Sequence, residues 1–372
     1  MKRYFPILDW LPGYQRKFFK GDLTAGLTVG VMLIPQGMAY SMLAGMPPIY
    51  GLYASTIPLI LYAVFGTSRQ LAVGPVAMVA LLIATGVGQI ANPGSDQFIQ
   101  LAILLALMVG LIQFGLGIFR LGFLVNFLSH PVISGFTSAA ALIIGFSQLK
   151  HLLGIDLPRS SYIYEILKEA FLHLDQVNWP TVAIGLGGVL VILGAKAYFK
   201  SVPGPLLAVV LGVVMVFGLE LNNAGVKIVG DVPGGLPAVA FPGVSTNSLM
   251  VLMPAALTIA LVGFMESIAV AKAIQSKHKD YQINANQELI ALGISNIGGS
   301  IFKAFPTVGG FSRTAVNDQS GAKTGLASVI SAVLIVLTLL FLTPLFYYLP
   351  QAILASVIMV AVFGLVDFQE AN

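Results

Sequence analysis

The sequence contains very few charged residues and no cysteine. Charged residues occupy 9% of the 372 positions, whereas soluble domains carry about 25%. So small a share cannot cover the surface of a soluble protein of this size, and the mean hydropathy of +0.91 excludes a disordered chain. Without cysteine there is no disulfide framework, thiolate nucleophile or cysteine metal site. The four histidines are scattered along the chain and form no ligand-spaced cluster.

Long apolar segments, by contrast, recur along the whole chain. Hydrophobic residues make up 57% of the sequence. A membrane helix uses about 20 apolar residues, so the chain has room for roughly 11–13 of them. Stretches such as 101–118 are continuously apolar rather than alternating, which favours helices over a membrane barrel. We therefore predict an all-α polytopic membrane protein. The predicted spans are 23–43, 48–66, 74–90, 98–119, 122–149, 178–199, 204–221, 248–273, 284–299, about 311–318, 324–347 and 351–366.

Basic residues predict the orientation of these spans. With the N-terminus in the cytoplasm, most of the 19 Lys and Arg residues fall in inner loops, among them Arg69, Arg120 and Lys272. This bias follows the positive-inside rule. The net charge of +4 is small and dispersed and gives no indication of nucleic-acid binding.

Two of the predicted spans are unlike simple membrane helices. Segment 74–90 begins Gly-Pro, and segment 306–318 is short and polar and contains Gly309-Gly310. Irregular backbone at membrane depth persists only where it is buried in protein or lines a cavity. Paired interrupted segments in two halves of a chain are typical of transporter binding sites.

A weak internal repeat relates these two segments. Leu27-Thr28 aligns with Leu257-Thr258 at an offset of 230 residues, and this alignment pairs Gln36 with Glu266. Val73-Gly74 aligns with Val308-Gly309 at an offset of 235. Two matches in the same order at nearly equal offsets favour a structural repeat.

Several sequence blocks in the chain resemble one known family. They are Pro35-Gln36-Gly37-Met38-Ala39-Tyr40, the run 47–55, Phe65-Gly66-Thr67-Ser68-Arg69, Val73-Gly74-Pro75, the run 286–293 and Phe311-Ser312-Arg313-Thr314. In this order, over residues 20–366, they resemble the sulfate permease family, also called solute-carrier family 26.

The resemblance implies fourteen membrane segments in two inverted halves, with a core domain that moves past a gate domain in an elevator-like motion. Its third and tenth segments are half-helices whose N-termini meet at the midplane. We expect an N-terminal segment at 1–20, core repeats at 21–119 and 248–349, a gate repeat at 120–247 and the start of a second gate repeat at 350–372.

Twelve of the fourteen segments are expected in this chain, which ends at Asn372. The last two segments and the family's usual cytoplasmic STAS domain are therefore missing from the sequence. Either the natural protein ends here or the sequence is a piece of a longer one. The resemblance also implies a homodimer, and we expect a bacterial plasma-membrane protein with a cytoplasmic N-terminus.

The interrupted segments predict an anion site. The N-terminus of a helix offers unpaired N–H groups and about +0.5 charge, so two such ends would attract an anion. We assign these ends to Pro75, Val76 and Ala77 and to Phe311 and Ser312. An alternative is that the glycines near these positions are only kinks with close helix packing.

Three polar side chains complete the predicted site. Arg313 is costly at membrane depth, and such residues usually face a cavity; an ion pair with Asp318 nearer the surface is the alternative. Gln36 can donate a hydrogen bond to an anion, and Tyr40 shares its helix face. Tyr40 could instead belong to an interfacial belt of aromatic residues.

Glu266 is the other intramembrane charge, and we interpret it as a proton-coupling carboxylate. Two helix ends and Arg313 give about +2, and an ionised Glu266 lowers this to about +1. A proton on Glu266 would therefore favour a dianion such as sulfate. A permanent ion pair with Arg313 is the alternative role for this carboxylate.

The sequence thus predicts proton-coupled sulfate uptake, with a small inorganic anion as the substrate and no cofactor. Sodium-coupled bicarbonate symport ranks second, with Ser267 and Thr307 as possible oxygen ligands, and chloride or other anion exchange follows. No nucleophile–base pair or metal cluster supports an enzyme. A purine or uracil permease would bind a neutral base with carboxylates, which Arg313 disfavours.

Overall fold

The computed structural model describes residues 5–123, 130–157, 162–198, 203–278 and 280–363. Almost all of its regular structure is helical. The helices are α1 Ile7–Trp10, α2 Arg16–Ala44, α3 Ile49–Tyr53, α4 Ile57–Phe65, α5 Ala77–Gly88, α6 Asp96–Ile118, α7 His130–Ser147, α8 Leu149–Leu153, α9 Ile163–Leu172, α10 Trp179–Tyr198, α11 Gly204–Gly218, α12 Thr246–Gln275, α13 Ala285–Ile301, α14 Phe311–Gln319, α15 Leu326–Leu337 and α16 Gln351–Phe363. A π-helical segment, Thr338–Leu342, and two 3-10 turns, Leu174–Gln176 and Thr343–Phe346, add to these. Two short strands, β1 Val73–Gly74 and β2 Val308–Gly309, complete the elements.

Five helical stretches in the described part are long and apolar enough to cross a membrane. They are Arg16–Ala44, Asp96–Ile118, Trp179–Tyr198, Thr246–Gln275 and Leu326–Phe346. Shorter apolar helices cover Ile49–Phe65, Ala77–Gly88, Ala141–Leu153, Gly204–Gly218 and Gln351–Phe363. Helical segments thus lie at each predicted span. Residues 124–129 of the span predicted at 122–149, residue 199 of 178–199 and residues 364–366 of 351–366 lie outside the described residues.

Local sequence signals explain where several long helices begin and end. Ser95 and Ser245 accept hydrogen bonds from the backbone N–H groups of Phe98 and Ser248, and so cap the starts of α6 and α12. Gly45 adopts a left-handed conformation, with φ of 93°, and ends α2.

The polar stretch 150–177 contains a helix that the sequence reading did not predict. Helix α9 has Ile166 and Ala170 on its buried side, and Ala170 packs in a small cluster with Ile155 and Leu157. Only these two of its ten residues are buried.

The chain divides into two compact units, each formed by two separate stretches of sequence. Unit 1 comprises Met1–Phe127 and Gly235–Leu340, and unit 2 comprises Leu128–Gly234 and Phe341–Asn372. The core and gate boundaries expected from the sequence stay a prediction.

Within unit 1, helices α6 and α13 cross with their backbones in contact. A Cβ atom added to Gly293 would lie 2.6 Å from the backbone nitrogen of Phe114 and 2.8 Å from the carbonyl oxygen of Gly110. Small residues permit such close approach between membrane helices.

We expect Gly293→Ala to lower the thermal unfolding temperature, because the helices must separate to admit the methyl group. The matched control is Gly115→Ala in α6, where an added Cβ meets nothing within 4 Å. That change should be neutral or stabilising, since alanine has a higher helix propensity than glycine. Thermal unfolding of both purified variants measures the difference, and equal unfolding temperatures would contradict the packing argument.

Candidate anion-binding site

The site is built on a two-stranded ribbon formed by β1 and β2. The strands are antiparallel, with Val73 opposite Gly309 and Gly74 opposite Val308. The backbone N–H of Gly310 extends the pairing by donating to the carbonyl of Ala72 at 3.0 Å. The two dipeptides that the repeat aligns in sequence are therefore hydrogen-bonded to each other.

Each strand of the ribbon leads directly into a helix. Helix α5 begins at Ala77 after Val76, and α14 begins at Phe311 after Gly310. Neither capping residue supplies a side-chain hydrogen bond to the first turn. The first N–H groups of both helices are thus left without the caps that α6 and α12 have, and each end carries a partial positive charge.

Arg313 lies on the first turn of α14 and is 1% exposed. Its Nη1 makes a long hydrogen bond of 3.5 Å to Oε1 of Gln36. Its Nε and Nη2 are buried and have no hydrogen-bond partner among the described residues. A Cβ atom at Gly310 would lie 2.6 Å from Nη2, so the guanidinium packs against the backbone of the ribbon. A buried cation therefore retains unused donors beside two helix N-termini.

Helix α2 supplies the polar side chains predicted to face Arg313. Gln36 and Tyr40 are both buried, with exposed fractions of 3% and 4%, and they lie one turn apart on the same face. Tyr40 is close enough to Arg313 and Glu266 for the three groups to interact electrostatically.

Glu266 lies on α12. Its Oε2 is buried without a hydrogen-bond partner in the described part of the chain. The carboxylate interacts electrostatically with Arg313. However, none of the contacts of 4.0 Å or less between described ionic groups joins a guanidinium nitrogen of Arg313 to a carboxylate oxygen of Glu266. Glu266 and Arg313 thus lie near each other without forming the direct ion pair considered from the sequence.

The other ion pair considered for Arg313 does not form either. Asp318 contacts Nε2 of His278 at 2.5 Å and Nζ of Lys277 at 3.6 Å. These contacts join the end of α14 to the residues that follow α12.

The remaining predicted site residues differ in burial. Pro75, Val76 and Ala77 are buried, whereas the side chains of Phe311 and Ser312 are exposed. The side chains of Phe311 and Ser312 are therefore accessible on the same helical turn that buries the guanidinium of Arg313.

Ser267 connects α12 to the ribbon, a role that the sequence did not indicate. Its hydroxyl donates to the carbonyl of Gly263 at 2.7 Å and accepts from the backbone N–H of Gly309 at 2.8 Å. The residue next to Glu266 thus fixes the strand that leads to Arg313.

We expect Ser267→Ala to weaken anion binding by about fivefold or more, because the buried N–H of Gly309 loses its acceptor at a cost of about 1–3 kcal/mol. Ser276→Ala is the matched control, since Ser276 is exposed and its hydroxyl donates only to Ala273. Binding titrations of purified protein measure the effect. Equal affinities in the two variants would show that Ser267 does not position the ribbon.

A buried amide network holds the segment just before β2. The Oδ1 of Asn296 accepts from the N–H of Thr307 at 2.7 Å, and its Nδ2 donates to the carbonyl of Thr307 at 3.0 Å. The same Nδ2 donates to Oε1 of Gln113 at 3.1 Å. Helices α6 and α13 therefore both determine where the ribbon lies.

The buried carboxylate of Glu288 holds the segment before β1 in place. Glu288 accepts from the hydroxyl of Tyr62 at 2.6 Å, from the N–H and hydroxyl of Thr67 at 2.7 and 2.6 Å, and from the N–H of Ser68 at 3.3 Å. This agrees with a structural role for Glu288 rather than one in substrate binding.

Tyr281 adds a further contact to the loop before β1. Its hydroxyl donates to Oε1 of Gln70 at 2.6 Å. Burial raises the pKa of Tyr281 to about 12.

No group of three or more His, Asp and Glu side chains lies within reach of one metal ion in the segments that the structure describes. The available chemistry is that of hydrogen-bond donors, two helix dipoles, one cation and one carboxylate.

Comparison with known proteins identifies the family. The model of the Sulfate permease family matches residues 19–372. The chain belongs to this family. Among curated sulfate permease relatives, it is 45% identical over 377 residues to "Sulfate transporter 4.1, chloroplastic" of Arabidopsis thaliana, a match that covers 99% of the chain and 54% of that protein. The chain thus spans about half the length of the curated relatives it matches.

Solved structures share the sulfate permease fold. The murine Solute Carrier 26 family member A9 anion transporter, in the inward-facing state, superposes with a TM-score of 0.91 at 28% identity, over 98% of this chain and 63% of that one. The transmembrane domain of a cyanobacterium bicarbonate transporter, BicA, superposes with a TM-score of 0.87 at 24% identity, over 96% and 92% of the two chains. The predicted all-α, multi-pass membrane fold is confirmed.

Proposed function

We propose that this protein transports a small inorganic anion across a membrane, with sulfate as the substrate and a proton as the coupling ion. The observation that carries the proposal is the ribbon, which joins two uncapped helix N-termini beside an Arg313 with unused donors. The substrate contacts are assigned to Gln36, Tyr40, Pro75, Val76, Ala77, Phe311, Ser312 and Arg313.

The charges at the site favour a dianion when Glu266 is protonated. The two helix ends contribute about +1 together, and Arg313 raises this to about +2. Ionised Glu266 returns the sum to about +1. Binding of sulfate and binding of a proton would therefore strengthen each other, which is the thermodynamic basis of symport. The name of the Arabidopsis relative, a sulfate transporter, supports the same substrate.

Sodium-coupled bicarbonate symport is the second candidate. The observation that favours it is the unpaired Oε2 of Glu266 beside Ser267, since sodium would need several oxygen ligands there. The fold is shared with a cyanobacterium bicarbonate transporter, although that likeness is one of fold alone. Chloride or other anion exchange ranks after it.

Transport would follow an elevator-like motion in which unit 1 carries the ribbon and the anion with it. The core is assigned to unit 1 because all the proposed substrate contacts lie within its two stretches. A plasma-membrane location, a cytoplasmic N-terminus and a homodimer complete the proposal, supported by the charge bias of the loops and by the family pattern.

Radiolabelled sulfate uptake into proteoliposomes tests the proposal. Three conditions are compared: an inward proton gradient, an inward sodium gradient and no gradient. Sulfate accumulation on the proton gradient alone is the expected result. Accumulation on the sodium gradient alone would replace the proton with sodium, and absence of sulfate uptake in all three would overturn the substrate assignment.

A further inference from the structure

A cavity with a mixed polar and apolar lining lies where the end of α6 meets the first turn of α13, and it shares no residue with the ribbon. Its volume is about 170 Å³. Gly117 and Ile118 line it from α6, Arg120 lines it just beyond that helix, and Asn284 and Asn286 line it from the start of α13. All of these residues belong to unit 1.

Arg120 brings a positive charge to this cavity. Its backbone has a φ of 59°, in the left-handed region where a helix-ending glycine is usual. No carboxylate lies within 4.0 Å of its guanidinium among the described ion pairs. Arg120 is therefore a cation without a carboxylate partner among the described residues, and its backbone adopts a conformation that residues other than glycine rarely adopt.

The two asparagines add donors to the same wall. The Oδ1 of Asn284 accepts from the N–H groups of Asn286 and Gln287, and the Oδ1 of Asn286 accepts from the N–H of Gly122 at 2.8 Å. Because each amide oxygen is engaged, it is the Nδ2 groups that remain to donate to a ligand. None of the described residues that line the cavity is a carboxylate, so its chemistry suits an anion.

The position of the cavity in the chain indicates the source of that anion. Helix α6 is a 23-residue apolar span that ends at Ile118, so Arg120 follows at the depth of the lipid head groups. Beside the cavity, Ile118 and Phe119 are 54% and 76% exposed. A cationic cavity with an apolar rim fits an amphiphile whose phosphate enters the cavity and whose acyl chains follow the rim.

We propose that this cavity binds a phosphate-ester anion supplied by the head group of an acidic phospholipid. Arg120 pairs with the phosphate, and the Nδ2 groups of Asn284 and Asn286 donate to its oxygens. The lipid would thereby bridge the end of α6 and the start of α13, the helix that also carries Glu288.

Lipid binding to the purified chain tests this proposal. The protein in detergent is titrated with phosphatidylglycerol, phosphatidylcholine or glycerol 3-phosphate, and bound lipid is counted by native mass spectrometry. We expect phosphatidylglycerol to bind at least fivefold more tightly than phosphatidylcholine. Retention of glycerol 3-phosphate with equal affinity would assign the same cavity to a soluble phosphate ester and overturn the lipid as its source.

Two variants and one control locate the binding. Arg120→Gln removes the cation, and Asn286→Asp keeps the acceptor for Gly122 while placing a negative charge in the cavity. Each should lower phosphatidylglycerol affinity at least fivefold. Lys272→Gln removes an exposed charge that does not line the cavity and should leave affinity within twofold. Unchanged binding in both cavity variants, or an equal loss in the Lys272 variant, would overturn the proposal, and thermal unfolding confirms that each variant is folded.

Discussion

Replacement of Arg313 by glutamine is expected to weaken sulfate binding by about 10- to 100-fold without lowering the thermal unfolding temperature. Hydrogen bonds to charged groups contribute about 1.5–3 kcal/mol each, and each 1.4 kcal/mol corresponds to a tenfold change in affinity. The guanidinium has two buried nitrogens without partners among the described residues. Because an unpaired buried charge destabilises a fold, its removal should leave stability unchanged or increase it.

Opposite effects on binding and stability distinguish a substrate ligand from a structural cation. Sulfate titration and thermal unfolding are measured on Arg313→Gln, on Arg313→Lys and on the control Lys323→Gln, which removes an exposed charge in the same unit. Lysine should give an intermediate affinity, since it keeps the charge but loses the planar fork of donors. A glutamine variant that binds sulfate normally but unfolds at a lower temperature would show that Arg313 is structural.

The elements of this site were predictable because their signals are local. Apolar segments are interrupted by Gly74-Pro75 and by Gly309-Gly310. The polar run after Gly310 is too short to span a membrane. These features indicated both helix starts, and the repeat singled out the two dipeptides that form the ribbon.

The contacts that hold the ribbon were not predictable in the same way. Ser267 and Gly309 lie 42 positions apart, and Glu288 and Thr67 lie 221 apart. A single polar residue in an apolar helix has no periodic pattern that identifies its partner. Such pairs emerge only once the helices are packed.

Helix geometry alone disfavours an ion pair between Arg313 and Asp318. Residues five apart on an α-helix point in directions about 140° apart, because each residue turns the helix by about 100°. Arg313 and Asp318 therefore leave α14 on different faces, which is why Asp318 pairs with His278 and Lys277 instead.

Glu266→Gln is expected to abolish proton-driven sulfate accumulation while preserving sulfate exchange. Glutamine resembles the protonated carboxyl in shape and charge, so the positive potential at the site stays high at every pH. In the parent protein, sulfate affinity should rise as the pH falls and Glu266 takes up its proton. At alkaline pH, where Glu266 of the parent is ionised, the variant should bind sulfate about tenfold more tightly than the parent, because one negative charge near the anion has been removed.

Counterflow and gradient-driven uptake in proteoliposomes separate these two activities. The control is Glu220→Gln, which alters an exposed carboxylate in unit 2 and should behave like the parent in both assays. Uphill accumulation by the Glu266 variant on a proton gradient would show that the coupling proton binds elsewhere. Loss of exchange together with accumulation would instead place Glu266 among the groups that the anion site needs in order to form, because a coupling residue is dispensable for movement of sulfate down its own gradient.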